Sequence, residues 1–202
     1  MYVVGLTGGI GAGKSEAARM FSDLDVPVVD VDVISRHLTS AGQPLVSKIA
    51  EAFGTEYVTE DGAMDRGKIR DRIFNNNADR RMLESILHPA IHSEALRELE
   101  QYNQSLYQIL AIPLFFESNR YEGIVNRTLL IDCDEEKQIS RVVNRNGFTE
   151  KMVRSIIAAQ ASRSFRRALA NDIIDNNGSI EELQQKIHQM HEKFIKTCIV
   201  SE

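Results

Sequence analysis

The chain contains few cysteines and no long apolar run, and these two shortages exclude several classes of protein. Among its 202 residues only Cys133 and Cys198 are cysteines, too few for a disulfide framework or for a zinc site. No apolar run approaches the ~20 residues that a membrane-spanning helix needs. The N-terminal residues also lack the basic, apolar and small-residue segments of a signal peptide. We therefore expect a cytoplasmic protein with reduced cysteines and no membrane partner.

Basic residues are not in excess either. The 29 acidic side chains outnumber the 24 basic ones, and the net charge of −5 argues against general binding to nucleic acid or anionic membranes. Hydrophobic residues make up 43% of the chain and charged residues 26%, which is typical of a globular protein. The length suits one domain of ordinary size, or one core with insertions.

One glycine-rich segment organises the remaining sequence. Residues 8–15 read Gly-Gly-Ile-Gly-Ala-Gly-Lys-Ser and fit the pattern G-x-x-x-x-G-K-S/T. The apolar residues 2–7 before it predict a buried strand, and residues 16–21 after it predict a helix. A strand, a glycine loop and a helix in this order are typical of a phosphate-binding loop, or P-loop, rather than of a chance glycine turn. The sequence therefore predicts that the chain binds a nucleoside triphosphate.

The chemistry of a P-loop assigns a role to several of these residues. Glycines let the backbone N–H groups turn inward around a phosphate, and the helix N-terminus adds partial positive charge. Lys14 is predicted to reach the β- and γ-phosphates, and the hydroxyl of Ser15 is predicted to ligate Mg²⁺. The loop residues predicted to bind the nucleotide are Gly11, Ala12, Gly13, Lys14, Ser15 and Glu16.

The next predicted strand, residues 26–32, ends in two carboxylates. Ligands of α/β sheets lie beyond the carboxyl ends of the strands, so Asp30 and Asp32 are expected to point towards the same crevice as the P-loop. A carboxylate there can accept the proton of an attacking hydroxyl or hold Mg²⁺ through water. The alternative is that one of the two caps the helix starting near Val33. We expect one carboxylate to be structural and the other to take part in the chemistry. Asp32 is the better candidate for the chemistry, because it lies farther out of the sheet.

Residues 33 to about 107 contain no convincing strand and predict a helical insertion large enough to hold a substrate. Pro89 is predicted to open a new helix within it. Arg66 belongs to a basic cluster, for which a solvated helix face is the default interpretation and binding of an anionic substrate is the competitor. His88 and His92 have i, i+4 spacing, but no third ligand is obvious, so packing or substrate binding is favoured over a metal site.

The second half of the chain predicts further strands of the same sheet. The apolar run 108–117 suits a central strand, with Pro113 marking the end of ladder pairing and Glu117 emerging at the active edge. Residues 127–133 predict another buried strand, in which Cys133 is expected to be a small core residue rather than a nucleophile.

Arginines are concentrated after this strand. The helix that follows carries Arg141 and Arg145 on one face, four residues apart. Four more follow with few acids among them: Arg154, Arg163, Arg166 and Arg167. A mobile lid that closes over the triphosphate is the favoured explanation, and solvated helices with some salt bridges are the alternative.

The combined pattern resembles the dephospho-CoA kinases, and the resemblance runs nearly from end to end. The P-loop alone is shared by many families, whereas its combination with His88-Pro89 and with residues 113–117 is far more specific. The other matching segments are residues 6–15, Asp30-Val31-Asp32, the helix with Gln138, Arg141 and Arg145, Gln160, and residues 172–178. One departure is Asn171, where members commonly carry an acid or a small residue; we expect it to affect at most a contact between lid and core.

This resemblance implies an α/β fold: a P-loop kinase core with a five-stranded parallel sheet flanked by helices, a helical substrate-binding insertion and an arginine-rich lid. The implied core comprises residues 1–32, 107–138 and 168–202, the insertion residues 33–106, and the lid residues 139–167. The implied reaction uses ATP and Mg²⁺ to phosphorylate the 3′-hydroxyl of the dephospho-CoA ribose, which gives coenzyme A and ADP.

The resemblance also implies roles for single residues. Asp32 would be the base for the 3′-hydroxyl, and Lys14 and Arg141 would complete the catalytic set. Arg141, Arg145 and Asn177 would join the P-loop in binding ATP, with Asn177 near the adenine. The implied substrate contacts are Asp32, Arg66, His88, Pro113 and Glu117. We expect a monomer or a weak homo-oligomer.

A P-loop is also compatible with three other functions: another kinase, a nucleotide-dependent switch, and a protein that only binds ATP and would lack acceptor-dependent turnover. Another P-loop kinase for a small metabolite or a nucleotide is the alternative, because the helical insertion hides its substrate from sequence inspection. A GTPase switch is disfavoured, because guanine-specific GTPases use an Asn-Lys-x-Asp segment that does not occur in this chain.

Overall fold

The computed structural model describes residues 1–74, 76–118 and 120–200. The chain divides into two compact units, a larger one of residues 1–29 and 101–202 and a smaller one of residues 30–100. The helices, in chain order, are α1 (Lys14–Ser22), α2 (Val31–Leu38), α3 (Pro44–Phe53), α4 (Arg66–Phe74), α5 (Asn77–Gln101), α6 (Glu135–Asn146), α7 (Glu150–Ala159), α8 (Arg163–Leu169) and α9 (Ile180–Val200). Among these helices none is long and apolar enough to cross a membrane.

A five-stranded parallel sheet organises the larger unit. Its strands are β1 (Val3–Gly8), β2 (Val28–Asp30), β3 (Gln108–Ala111), β4 (Arg127–Asp132) and β5 (Asp172–Asp175). They are ordered β2-β3-β1-β4-β5, and β1 pairs in parallel with both β3 and β4. Every residue of β1 is buried, as a central strand covered on both faces requires, which explains its unbroken apolar run. The predicted α/β fold is confirmed.

Helices α1 and α9 pack together to cover this sheet. The rings of Phe21 and Phe194 stack with centroids 6.4 Å apart, and Tyr107 meets Phe194 edge-on at 5.4 Å. Phe21 and Phe194 are fully buried, and burial of each ring contributes about 1.5–3 kcal/mol. Leu183 and Ile187 of α9 are also buried, so the same face of this helix packs against the core.

Polar side chains join β4, β5 and α9 at one end of the sheet. Asp172, at the start of β5, is almost completely buried and accepts hydrogen bonds from Arg127 and Lys193. Burial by itself would raise the pKa of this carboxyl, but the two cationic donors outweigh burial and lower the pKa. Asn171 exchanges hydrogen bonds with Thr128 of β4, so its side chain closes the same edge.

The smaller unit is helical and has its own core. Helices α3, α4 and α5 contribute Ile49, Phe53, Ile69 and Leu83, and Met64 completes the cluster. Asp65 precedes α4 and caps it by accepting the N–H of Lys68 at 2.9 Å.

Two boundary predictions in this region are wrong. The strand predicted over residues 26–32 ends at Asp30, because Asp30 caps a helix that already begins at Val31. Pro89 does not open a helix but lies inside α5, which runs unbroken from Asn77 to Gln101. An internal proline costs about 3 kcal/mol, and the burial of leucine, isoleucine and alanine side chains along α5 offsets this cost.

Candidate active site

The loop between β1 and α1 adopts a conformation that only glycine accommodates easily at two positions. Gly11 and Gly13 have φ angles of 73° and 103°, in the left-handed region. A Cβ on Gly11 would lie 2.6 Å from the carbonyl oxygen of Gln138, and one on Gly13 would come within 3.0 Å of the side chain of Asn176. The amide of Asn176 also donates to the carbonyl of Ala12 at 2.8 Å. The glycines of the motif therefore let neighbouring elements pack directly against the loop backbone.

Helix α1 begins immediately after the loop. Lys14 is its first residue and only 9% exposed, and Ser15 follows it. The first N–H groups of a helix have no partner within the helix and carry its partial positive charge, so this end attracts an anion. Glu16 is an acid in the first turn of α1, but its carboxylate accepts hydrogen bonds from Arg19 on the same helix. Arg19 therefore offsets the negative charge of Glu16, and the positive charge of the helix N-terminus remains.

A cavity of about 720 Å³ opens beside this loop and lies entirely within the larger unit. Its lining includes these predicted site residues: Gly11, Gly13, Lys14, Ser15, Glu16, Pro113, Arg141 and Arg145. Ile180 and Leu183 of α9 supply an apolar stretch of its wall. The structure thus brings together glycine backbone, cations and an apolar surface, which are the parts that a nucleotide requires.

The two arginines of α6 reach this cavity from one helix face. Arg141 donates to the carbonyl of Asn176 at 3.0 Å and contacts the sulfur of Cys133 at 3.7 Å. Cys133 is fully buried, and burial raises the pKa of its thiol, which fits the predicted core role. Arg145 donates to Asn146 and is otherwise directed at the cavity wall by its i, i+4 spacing from Arg141.

The neighbouring asparagines have different environments. Asn177 accepts the N–H of Asp134 at 2.9 Å and donates to Asp175 at 2.9 Å, so its side chain braces the turn after β5. Asn176 lines the cavity instead. Sequence reasoning missed Asn176, and only its direct contact with Gly13 and Ala12 marks it as part of the loop's support.

Glu117 lies beyond the end of β3, as expected, and binds protein backbone. Its carboxylate accepts the N–H of Ala161 at 2.8 Å, at the junction between α7 and α8. Gln160, the residue before Ala161, accepts the N–H of Ile10 in the P-loop at 3.1 Å. The α7–α8 junction is therefore tied both to the P-loop and to the exit of β3.

The predicted arginine-rich segment binds a buried acid of β4 that the sequence analysis overlooked. Asp132, the last residue of β4, is 2% exposed and accepts hydrogen bonds from Arg163 and Arg167 of α8. These bonds raise the pKa of Arg163. Its position at the carboxyl end of a strand was the available signal, since the partners lie 31 and 35 residues away in sequence.

Arg154 and Arg166 differ in their surroundings. Arg154 lies at the surface and pairs with three glutamates, Glu135, Glu136 and Glu150. Arg166 is 4% exposed, donates to the carbonyl of Ala161 and lies against Gly9. Burial lowers its pKa. Within the described part of the chain its Nε atom makes no hydrogen bond.

The smaller unit holds the remaining predicted site residues. Asp30 accepts the N–H of Asp32 at 2.8 Å and caps α2, which confirms that one carboxylate of the pair is structural. Asp32 lies exposed in the first turn of α2. His88 is half-buried in α5, one turn before His92. Among the residues that the structure describes, no three His, Cys, Asp or Glu side chains come together as a metal site.

Arg66 links α4 to α2 within this unit. Its guanidinium donates to the hydroxyl of Thr39 and to the carbonyl of Ser35 at 3.1 Å. Desolvation lowers the pKa of Arg66, as does nearby Arg36, whereas the charge of Asp32 opposes this shift. Asp32 and Arg66, both predicted substrate contacts, therefore belong to one electrostatic group.

Comparisons with known proteins agree with this geometry. A family model described as dephospho-CoA kinase (CoaE) matches residues 2–182. The chain is 44% identical over 197 residues to the dephospho-CoA kinase of Chromobacterium violaceum, covering 98% of this chain and 96% of that protein. It is also 44% identical over 195 residues to the dephospho-CoA kinase of Nitrosospira multiformis, covering 96% and 97%. A solved structure titled dephospho-CoA kinase from Campylobacter jejuni has the same fold, with a TM-score of 0.72, 22% identity and coverage of 96% and 98%.

Proposed function

The chain belongs to the dephospho-CoA kinase family, and from this premise we propose which of its residues carry out the ATP-dependent phosphorylation of dephospho-CoA. The observation that carries the proposal is the glycine loop whose Lys14 lies in the wall of a nucleotide-sized cavity. In-line phosphoryl transfer asks a protein mainly for positioning and for neutralisation of charge. The larger unit would position the nucleotide and neutralise its charge.

The loop fits the triphosphate of ATP. Two left-handed glycines and the α1 N-terminus present backbone N–H groups, and Lys14 would neutralise the β- and γ-phosphates. Arg141 and Arg145 line the same cavity and would add positive charge, with Arg141 in the catalytic set. Asn177 braces the turn of the chain that we assign to the adenine. The remaining contacts would come from Gly11, Ala12, Gly13 and Glu16.

A magnesium ion is part of the proposal. Ser15, the second residue of α1 and part of the cavity lining, would ligate Mg²⁺ through its hydroxyl. Bound Mg²⁺ would supply charge neutralisation between the phosphate oxygens. The donor set suits this hard cation, since it prefers oxygen ligands and keeps several waters.

Asp32 is proposed as the base that orients and deprotonates the 3′-hydroxyl of dephospho-CoA. The capping role of its neighbour Asp30 supports this, because it assigns the structural role of the pair to Asp30, while Asp32 lies exposed in the first turn of α2. Arg66, His88, Pro113 and Glu117 would contact the acceptor, and Arg66 shares an electrostatic group with Asp32. Asp32 would act as general base, a role that typically contributes 10²–10⁴ to rate.

We further propose that residues 1–32, 107–138 and 168–202 are the nucleotide-binding core, residues 33–106 the acceptor-binding insertion and residues 139–167 a lid. A lid that excludes water would keep ATP from simple hydrolysis. The active form would be a monomer or a weak homo-oligomer in the cytoplasm.

Another P-loop kinase activity is not favoured. The family match covers the chain from residue 2 to residue 182, which includes residues 33–106, the proposed acceptor-binding insertion. The sequence also offers no Asn-Lys-x-Asp segment for reading guanine.

The test is release of ADP from Mg-ATP with and without dephospho-CoA, using shikimate and AMP as control acceptors. Stimulation by dephospho-CoA alone, with coenzyme A as product, is the expected result. Stimulation by a control acceptor would overturn the acceptor assignment while leaving the P-loop chemistry in place. Omission of Mg²⁺ should abolish the stimulated rate, and a full rate in a chelator would contradict the metal assignment.

A further inference from the structure

Gln160 reaches across the larger unit to the P-loop. It ends α7, lines the nucleotide cavity, and accepts the N–H of Ile10 with its Oε1 at 3.1 Å. A backbone N–H can only donate, so the side-chain atom that faces Ile10 has to be the amide oxygen. The amide nitrogen is therefore directed away from Ile10. Within the described residues it forms no hydrogen bond, and its two N–H donors are available to a ligand.

The position of Gln160 along the P-loop indicates which part of the nucleotide it contacts. Asn176 packs on Ala12 and Gly13, and the nearby residues Ile180 and Leu183 supply the apolar wall that suits a base. Gln160 lies instead at the first half of the loop, on Ile10. The base is placed beside the second half of the P-loop, and Lys14 contacts the β- and γ-phosphates. The terminal phosphate therefore lies towards the first half of the P-loop. That half is where the Gln160 amide lies.

Hydrogen bonds hold the backbone beside Gln160. The N–H of Ala161 donates to Glu117 at 2.8 Å, and the carbonyl of Ala161 accepts from buried Arg166. Arg163, on the next helix, is bonded to Asp132 at the end of β4. A donor fixed in this way loses little conformational entropy when it contacts a phosphate, so its hydrogen bond contributes more to affinity.

We propose that Gln160 contacts the terminal phosphate of the nucleoside triphosphate: its oxygen holds the N–H of Ile10 while its amide nitrogen donates to a terminal phosphate oxygen. The inference rests on the proposed function, since it places ATP in this cavity. The contact distinguishes a triphosphate from a diphosphate, because only the triphosphate reaches the donor. It also connects the end of α7 to the presence of the phosphate that is transferred.

Two substitutions separate the oxygen's role from the nitrogen's. Gln160→Glu keeps an oxygen for Ile10 but replaces the donor by a carboxylate oxygen, which repels a phosphate. Gln160→Ala removes both atoms and adds no charge. The matched control is Gln189→Glu, which makes the same charge change at an exposed glutamine of α9 outside the cavity.

The measurement is calorimetric affinity for ADP and for a non-hydrolysable β,γ-imido analogue of ATP, both with Mg²⁺. Hydrogen bonds to charged groups predict that the ratio of analogue affinity to ADP affinity falls roughly 10- to 100-fold in Gln160→Glu. The ratio should fall about tenfold in Gln160→Ala and stay unchanged in Gln189→Glu. Circular dichroism verifies that each variant is folded.

The outcomes separate the inference from the proposed function. An unchanged ratio in both Gln160 variants, or equal weakening of both nucleotides, would overturn the terminal-phosphate contact while leaving the kinase assignment in place. Failure of the unsubstituted protein to bind either nucleotide would overturn the proposed function itself, and the contact with it.

Discussion

Replacing Asp132 by asparagine tests whether the base of the arginine-rich segment is anchored to the sheet. Asp132 is the buried carboxylate at the end of β4, with a side chain only 1% exposed, and it binds Arg163 and Arg167 of α8. Asparagine keeps the shape of the side chain but removes its charge. Its amide nitrogen can only donate, so it would face the donors of two guanidinium groups.

The magnitude follows from the burial of the partners. Removing one member of a fully buried ion pair costs about 3–5 kcal/mol, because an uncompensated charge stays buried. The two arginine side chains here are 38% and 44% exposed, so they can turn partly into water and the cost is smaller. We expect a loss of about 2 kcal/mol in the free energy of unfolding, which corresponds to about 4–8 °C in Tm for a chain of this size.

The assay is thermal and urea unfolding followed by circular dichroism, with Glu136→Gln as the matched control. Glu136 also pairs with an arginine, Arg154, but its side chain is 77% exposed, so its loss should leave the unfolding midpoint unchanged. If the midpoints of Asp132→Asn and Glu136→Gln coincide, the reasoning that Asp132 anchors α8 is refuted.

Three further predictions concern chemistry, the loop and acid stability. Asp32→Asn should keep its affinity for ATP but lose roughly 100-fold or more in kcat with dephospho-CoA, because asparagine cannot act as a general base. A near-normal kcat would contradict the assignment of Asp32 as the base. Gly13→Ala should weaken ATP binding at least about tenfold in calorimetry. Alanine at this position would have to adopt a φ angle of 103°, and its methyl group would clash with the side chain of Asn176. Gly123→Ala, with no atom within 4 Å of the new methyl group, should bind ATP normally. The lowered pKa of Asp172 means that its contribution to stability, complete above about pH 5, disappears as the pH falls through the folded pKa. The unfolding free energies of the unsubstituted protein and of Asp172→Asn should therefore approach each other as the pH falls from about 5 through the lowered folded pKa, and a constant gap would contradict this.

The sequence predicted the features that depend on neighbouring residues. The P-loop was readable because its strand, its glycines and the start of α1 follow one another within residues 3–22. A cap by one carboxylate of Asp30 and Asp32 was readable because a cap bonds a backbone N–H two or three residues away. The boundary at Pro89 was not, since the burial that keeps α5 continuous depends on packing within the whole smaller unit.

By itself the sequence determined the class of the molecule: an α/β fold around a phosphate-binding loop, with the cation and the glycines that a triphosphate needs. These properties are encoded in short segments, where backbone conformation and the order of side chains decide the chemistry. Only the tertiary structure decided how distant groups meet. Gln160 lies 150 residues from Ile10, and Arg163 lies 31 residues from Asp132. Such contacts depend on the order of strands in the sheet and on how helices pack against it, and no local pattern carries that information.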